Sequence, residues 1–384
     1  MVFKLILRNI FRHKLRAILT ILGIAIAVSA FGFIRTVINA WYIGVETSSS
    51  NRLITRSSIS IAFDLPLAYR EKIASVPHVT EVTHGTWFGG IYKDPSIFFA
   101  QFAIDPATYF KVYPEIIVPE EQMNDFLRDR SGAVVGRKLA ERFGWKVGDV
   151  VRLTGTIYEG DWDLTIRGIY AGKEKKTDET QFFLNWKYLD ERVTELMPAR
   201  GGNVGFYIIG IDAPDQAAEI SKSIDEKFSN SPAETMTETE SAFQLGFVTL
   251  SSAIITGLQV ISFVIITIIM LVLANTMLMS ARERFSEYAV LKTLGFENGF
   301  IYTLIIGESL GLSVIGCAVG IVITYPITQA FGEAVSSFFP VFDISTLTLL
   351  LAVFATLVVG ALSGIFPATK AVRMSIVDGM RQIS

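Results

Sequence analysis

Three histidines (His13, His78 and His84) and one cysteine (Cys317) are all that this 384-residue chain offers of the side chains most used as general base or transition-metal ligand. His78 and His84 are six positions apart in a stretch that reads as strand, so both fall on one side of it. Two ligands do not close a metal site, and both read as structural. No nucleophile motif frames a serine. No G-x-x-x-x-G-K-[ST] occurs, and Gly295 to Gly299 lacks the lysine that would follow a phosphate loop. Cys317 stands alone in an apolar run, which excludes an intrachain disulfide. The chain therefore reads as no enzyme, with no metal and no cofactor of its own.

What remains is ionic, and it sits in two places. Glu308 falls in the middle of an apolar run. A carboxylate there is costly and marks a functional site by default, unless it only hydrogen-bonds a polar neighbour such as Asn275 or Thr276. The second place is the stretch Arg282, Glu283, Arg284, Glu287, Val290, Leu291, Leu294, Gly295 and Phe296. Val290, Leu291, Leu294 and Phe296 offer an apolar face that would seat in a partner's groove. Arg282, Arg284 and Glu287 would orient that partner by charge, and Gly295 would end the helix. On the residues alone, the same stretch also reads as a basic turn that only sets topology.

The elements that position these groups are membrane helices. Hydrophobic residues make up 51% and charged residues 18% of the chain, against about 25% charge in a soluble domain. Apolar segments must therefore be concentrated. Four runs, 17–38, 247–279, 300–323 and 347–367, reach the roughly 20 residues that a helix needs to cross a bilayer. Val28-Ser29-Ala30 resembles a signal-cleavage site, but the apolar run continues through Ile34, so it reads as a span. Lys4, Arg8, Arg12, Lys14 and Arg16 precede the first span. Arg282, Arg284 and Lys292 lie between the second and third, and Lys370, Arg373 and Arg381 follow the fourth. The loop between the third and fourth spans carries no Lys or Arg. The positive-inside rule then places both termini and the loop between the second and third spans in the cytoplasm. The net charge of -3 gives no pull toward nucleic acid.

The organisation that follows is a basic, amphipathic N-terminal helix (1–16), the first span (17–40) and a large extracytoplasmic α+β domain of two lobes (41–246). A stalk plus second span (247–279), a cytoplasmic coupling helix (280–297), the third span (298–325), a short outer loop (326–346), the fourth span (347–367) and a tail (368–384) complete it. The N-terminal helix suits the inner membrane surface, or is a charged flank of the first span. The second apolar segment is longer than a bilayer requires, and its polar first half (Thr249, Ser251, Ser252, Thr256, Gln259) reads as a stalk. Gly307, Gly311, Gly316 and Gly320 line one face of the third span as a packing or dimer surface. Arg35 snorkels outward. In the inserted domain, Arg137 to Phe143 reads as a helix capped by Gly144. Strands at 150–156 and 164–170 read as a hairpin. Trp87, Phe88, Phe98, Phe99 and Phe102 read as core or as a contact surface.

Three stretches are more specific than hydropathy. Arg8-Asn9-Ile10-Phe11-Arg12-His13-Lys14-Leu15-Arg16 is followed by Leu19-Thr20-Ile21-Leu22-Gly23-Ile24. Ser280-Ala281-Arg282-Glu283-Arg284 is followed by Glu287-Tyr288-Ala289-Val290-Leu291-Lys292-Thr293-Leu294-Gly295-Phe296. Ser363-Gly364-Ile365-Phe366-Pro367-Ala368 is followed by Lys370-Ala371 and Met374-Ser375. With their order and the four spans, they resemble the MacB/FtsX-type (type VII) ABC permeases. Gly136-Arg137-Lys138-Leu139-Ala140 and Trp145-Lys146-Val147-Gly148-Asp149 resemble the MacB group in particular.

The resemblance implies a split-subunit member, without the ATPase that MacB exporters carry fused. It implies a dimer of permease subunits, homo- or heteromeric, with two ATPase chains that hold ATP and Mg. ATP-driven closure would pass through stalk helices to the outer domains in a bacterial inner membrane. A periplasmic adaptor and an outer-membrane channel would act alongside, and the stretch around Leu294 would dock the ATPase. Export or extraction of a lipophilic or peptide cargo is the function implied. The alternative is an FtsX-like signalling scaffold that activates a cell-wall hydrolase. A membrane enzyme with an outside catalytic domain is a third reading, which the missing nucleophile and metal motifs disfavour.

Overall fold

The computed structural model describes residues 2–335, 338–339 and 341–374. Ser375 and Arg381 of the sequence reading, most of the tail and residues 336, 337 and 340 of the short loop lie outside them. From the N-terminus the chain forms α1 (Val2–Ile10), α2 (Lys14–Thr47), β1 (Arg52–Ser57), β2 (Leu65–Pro66), α3 (Tyr69–Ala74), β3 (Val79–Trp87), β4 (Gly90–Ile91) and β5 (Gln101–Ile104). Next come α4 (Tyr109–Val112), β6 (Ile116–Ile117), α5 (Glu120–Arg128), β7 (Gly132–Gly136), α6 (Arg137–Phe143), β8 (Val150–Gly155), β9 (Gly160–Gly172), β10 (Phe182–Asn185) and α7 (Trp186–Leu196). Then follow β11 (Asn203–Val204), β12 (Phe206–Ile211), α8 (Ala217–Phe228), β13 (Thr235–Thr239), α9 (Glu240–Leu250), α10 (Ser252–Glu283), α11 (Phe285–Thr293), α12 (Asn298–Ala334) and α13 (Thr346–Arg373). Contacts divide these into a membrane unit (1–40, 251–333, 342–384) and an inserted domain (41–250, 334–341).

In the membrane unit α2, α10, α12 and α13 are long and apolar enough to cross a bilayer. Their shared core includes Ile24, Val28 and Phe31 of α2, Leu273 and Met277 of α10, Leu312 and Cys317 of α12, and Val359 of α13. Without a hydrophobic drive between helices in lipid, close approach depends on small residues. The glycine face of α12 has that role within the chain. A Cβ on Gly307 would meet Ile6, one on Gly311 Ile10, one on Gly316 Ile24 and one on Gly320 Val28. The face is covered by the protein's own α1 and α2, so it is an internal packing surface and not a free dimer face.

Several boundaries differ from the sequence reading: α2 runs on to Thr47 instead of ending at 40, and α12 runs on to Ala334 instead of ending at 325. The N-terminal helix breaks at residues 11–13 before α2 begins at Lys14. The long second segment is two helices, parted at Ser251 (φ -93°, ψ 6°). The fourth helix runs through Pro367 to Arg373.

The inserted domain is built on one sheet of eleven strands, with main path β13-β1-β12-β3-β5-β10-β7-β9-β8-β4. The two lobes of the sequence reading thus share a continuous sheet, bridged where β10 pairs with β5 on one side and β7 on the other. Successive strand residues point to opposite faces, and here both faces are buried. Leu53, Phe182 and Ile209 enter one core, where α3, α6, α7 and α8 pack. Their neighbours Ile54, Phe183 and Ile208 enter the other, against Tyr109 of α4, Phe126 of α5 and Phe243 of α9. The 150–170 hairpin is present as β8 and β9, paired from Val150↔Thr165 to Gly155↔Gly160. α6 ends on Gly144 with φ +69°.

The aromatic stretch divides. Phe88 and Phe99 are in the first core, Phe102 packs against the core on the opposite face of the sheet, and Trp87 and Phe98 are exposed.

Candidate coupling site

α11 is short, and backbone geometry fixes both its ends. At its start Arg284 leaves helical geometry (φ -111°, ψ 13°) and parts it from α10. At its end the Gly295 N–H donates to the Lys292 carbonyl (3.1 Å) and the Phe296 N–H to the Leu291 carbonyl (3.1 Å). That double closure needs a left-handed residue after the helix, and Gly295 supplies it at φ +87°.

The two faces of α11 differ. Phe285, Tyr288 and Ala289 are buried with Ala281 of α10, Ile301 and Ile305 of α12, and Ala368 and Ala371 of α13. Val290, Leu294 and Phe296 point outward, 42%, 70% and 44% exposed. The Phe296 ring stacks on Phe300 at 4.7 Å.

Ion pairs hold the inner side. Arg284 Nη1 donates to Glu308 Oε2 (2.8 Å), and its Nε donates to Glu287 Oε2 (3.1 Å). The Ser280 hydroxyl adds a contact to Glu308 at 3.3 Å. Glu287 also accepts from Arg12, and Glu283 accepts from Arg16 Nη2 (2.6 Å). Burial raises the Glu287 carboxyl, but the two guanidiniums outweigh it and hold it below the usual carboxylate range. On the far side Lys292 Nζ donates to the carbonyls of Val372 (2.6 Å) and Met374 (2.9 Å). These lie at the end of α13, where helix carbonyls lack internal partners and favour a cation. α11 is thereby tied to α10, α12, α13 and the α1–α2 turn, while one apolar patch stays outside.

Comparison with known proteins bears on this arrangement. Residues 17–227 match the MacB-like periplasmic core domain, and residues 259–376, which contain α11, match the FtsX-like permease C-terminal domain. The chain belongs to the MacB/FtsX-type family of ABC transporter permeases. An uncharacterized ABC transporter permease of Methanocaldococcus jannaschii is 26% identical over 97% of this chain and 96% of its own length. A macrolide export ATP-binding/permease protein MacB of Neisseria meningitidis is 25% identical over 52% of this chain, but only 26% of that protein is covered. The periplasmic region of MacB from Actinobacillus actinomycetemcomitans superposes with a TM-score of 0.38 at 11% identity, over 53% of this chain and 95% of that one.

For this MacB/FtsX-type permease, membership implies an ATPase partner. Its structure sorts the nine residues of the coupling stretch. Val290, Leu294 and Phe296 form the outward patch, and Gly295 is the cap. Leu291 is turned partly inward onto the buried cluster rather than out with the patch. Arg284 and Glu287, expected to orient a partner by charge, are engaged within the chain instead. Glu283 is engaged likewise, and Arg282 is exposed on the last turn of α10. Glu308 bonds Ser280 and Arg284, not Asn275 or Thr276; Thr276 donates to its own helix at Val272.

Sequence reasoning treated Arg12 and Arg16 as topology signals and missed their role. The signal was present in the spacing: two arginines four apart face two glutamates, Glu283 and Glu287, also four apart.

The histidines do not share a strand face. His78 precedes β3 with φ +68° and bonds Asp212 at 3.0 Å, whereas His84 is buried within β3 against Trp186.

Proposed function

We propose that this permease converts ATP hydrolysis by a separate ATPase chain, which holds ATP and Mg, into motion of its inserted domain. The motion exports or extracts a lipophilic or peptide cargo. The observation that carries the reading is that Val290 of α11, with Leu294 and Phe296 at its capped end, points outward while the other side of α11 is fastened to three membrane helices. A partner seated on that patch has purchase on the whole bundle. Exposed apolar side chains at a short helix and its cap are what a groove in a partner takes up, and an exposed cluster of this kind marks an interaction site. The basic flanks support both termini and α11 in the cytoplasm, and the family supports a place in a bacterial inner membrane. A second permease subunit, a periplasmic adaptor and an outer-membrane channel complete the assembly.

The test is a mild-detergent pull-down of the full chain from its own membranes, wild type against Leu294→Asp, with ATP hydrolysis assayed. Leu294 is 70% exposed, so the substitution leaves the fold intact and removes the ATPase from the eluate. An ATPase that stays bound to the variant would end the docking assignment. A cell-wall hydrolase recovered with the ATPase would replace export by the signalling scaffold.

A further inference from the structure

Within the inserted domain, the segment 48–51 follows α2 and α9 precedes α10. Both meet at one carboxylate. Glu240, the first residue of α9, is buried. Its Oε2 accepts the Ser49 backbone N–H (2.8 Å) and Arg52 Nε (2.8 Å), and its Oε1 accepts the Tyr113 hydroxyl (3.1 Å). Arg52, the first residue of β1, is equally buried. Its Nη1 donates to the Val112 carbonyl (3.3 Å) and to Glu115 (3.1 Å), and its Nη2 pairs with Glu115 at 2.8 Å. Its guanidinium lies 4.4 Å from the centre of the Tyr113 ring. The ladder places the two residues together: Leu53 pairs with Thr239, and Arg52 and Glu240 are the next residues outward.

A buried ion pair is weak support for stability as such, because apolar replacements of similar volume are often as stable. Its distinctive property is directional geometry: charge-assisted bonds from a guanidinium fork fix orientation. A root meant to splay would not spend three donors on one carboxylate. We propose that Glu240 and Arg52 are a positioning pair that welds the incoming segment to the outgoing helix, so that the root of the inserted domain turns as one body. This rests on the reading that ATP-driven motion reaches the domain through these segments.

The experiment uses the full chain in lipid nanodiscs, in a Cys317→Ser background, with spin labels at Lys222→Cys and Thr249→Cys or at Lys222→Cys and Thr47→Cys. Pulsed dipolar spectroscopy of each pair is expected to give one narrow distance peak. The peak stays in place when the co-purified ATPase and ATP are added. Glu240→Gln is expected to lose the single narrow peak for the Thr249 pair. The apolar pair R52M/E240L guards against misfolding: it keeps the melting temperature and loses the same peak. Distributions as narrow in a folded R52M/E240L chain as in wild type would overturn the weld, as would an ATP-driven change of distance in the wild type. The ATP-free distances bear on the weld alone. An ATPase that never associates would instead end the reading of Proposed function and leave the weld standing on those distances.

Discussion

Arg284 and Glu308 meet across 2.8 Å with side chains only 10% and 8% exposed, one at the junction of α10 and α11, the other inside α12. Losing one partner leaves the other charge buried and uncompensated, which costs about 3–5 kcal/mol. Arg284→Ala and Glu308→Ala are each expected to destabilise the chain strongly in detergent unfolding assays. The double replacement R284M/E308L should recover most of that loss. Additive losses would show that the pair is not coupled.

His84 is expected to make the inserted domain acid-sensitive. Neither ring nitrogen has a hydrogen-bond partner, and burial pushes its pKa from 6.5 down to about 4, against a smaller opposing pull from Asp105. The folded chain holds His84 neutral, while the unfolded chain protonates it near its ordinary value. Between those limits the unfolded state binds more protons, so stability falls as pH drops from above 6.5 toward 4. The loss is on the order of 3 kcal/mol by the lower limit. Unfolding followed by tryptophan fluorescence across that range should show the slope in wild type and a flatter one in His84→Phe. Equal slopes would remove His84 as the cause.

The spans were legible because a bilayer demands long unbroken apolar runs, and the α6 cap at Gly144 was legible because glycine alone takes that φ freely. Long-range pairing was not. Arg52 and Glu240 are brought together by β13 folding back on β1, and no local pattern announces that. The partner of Glu308 was misplaced within one helix for a similar reason. Composition shows that α10 and α12 both cross, but not the depth at which they sit side by side. Ser280 and Arg284 therefore stand where Asn275 and Thr276 were expected. The inward turn of Leu291 depends on α13 lying beside α11, which is a tertiary fact.

The glycine face of α12 gives a graded test. A Cβ on Gly320 would lie 2.7 Å from Val28 Cβ and 2.8 Å from the Ala25 carbonyl, whereas one on Gly257 meets nothing within 4 Å. Gly320→Leu must push α2 away, at a cost of about 1–3 kcal/mol for overpacking. Gly257→Leu is expected to be neutral. Thermal unfolding of the two variants in the same detergent separates them, and equal midpoints would contradict the close approach of α2 and α12.

Gly295 links the cap of α11 to the patch beside it. At φ +87° a Cβ is strained although nothing crowds it. Gly295→Ala therefore costs about 1 kcal/mol through the backbone alone. That strain falls on the two bonds from Gly295 and Phe296 that close the helix, and so on the placement of Phe296 next to Leu294. Asparagine tolerates the left-handed region better than alanine. The expected order of ATPase recovery in pull-downs is wild type, then Gly295→Asn, then Gly295→Ala, with overall melting temperature changing little. Recovery of alanine and asparagine variants in the opposite order would show that the cap does not position the patch.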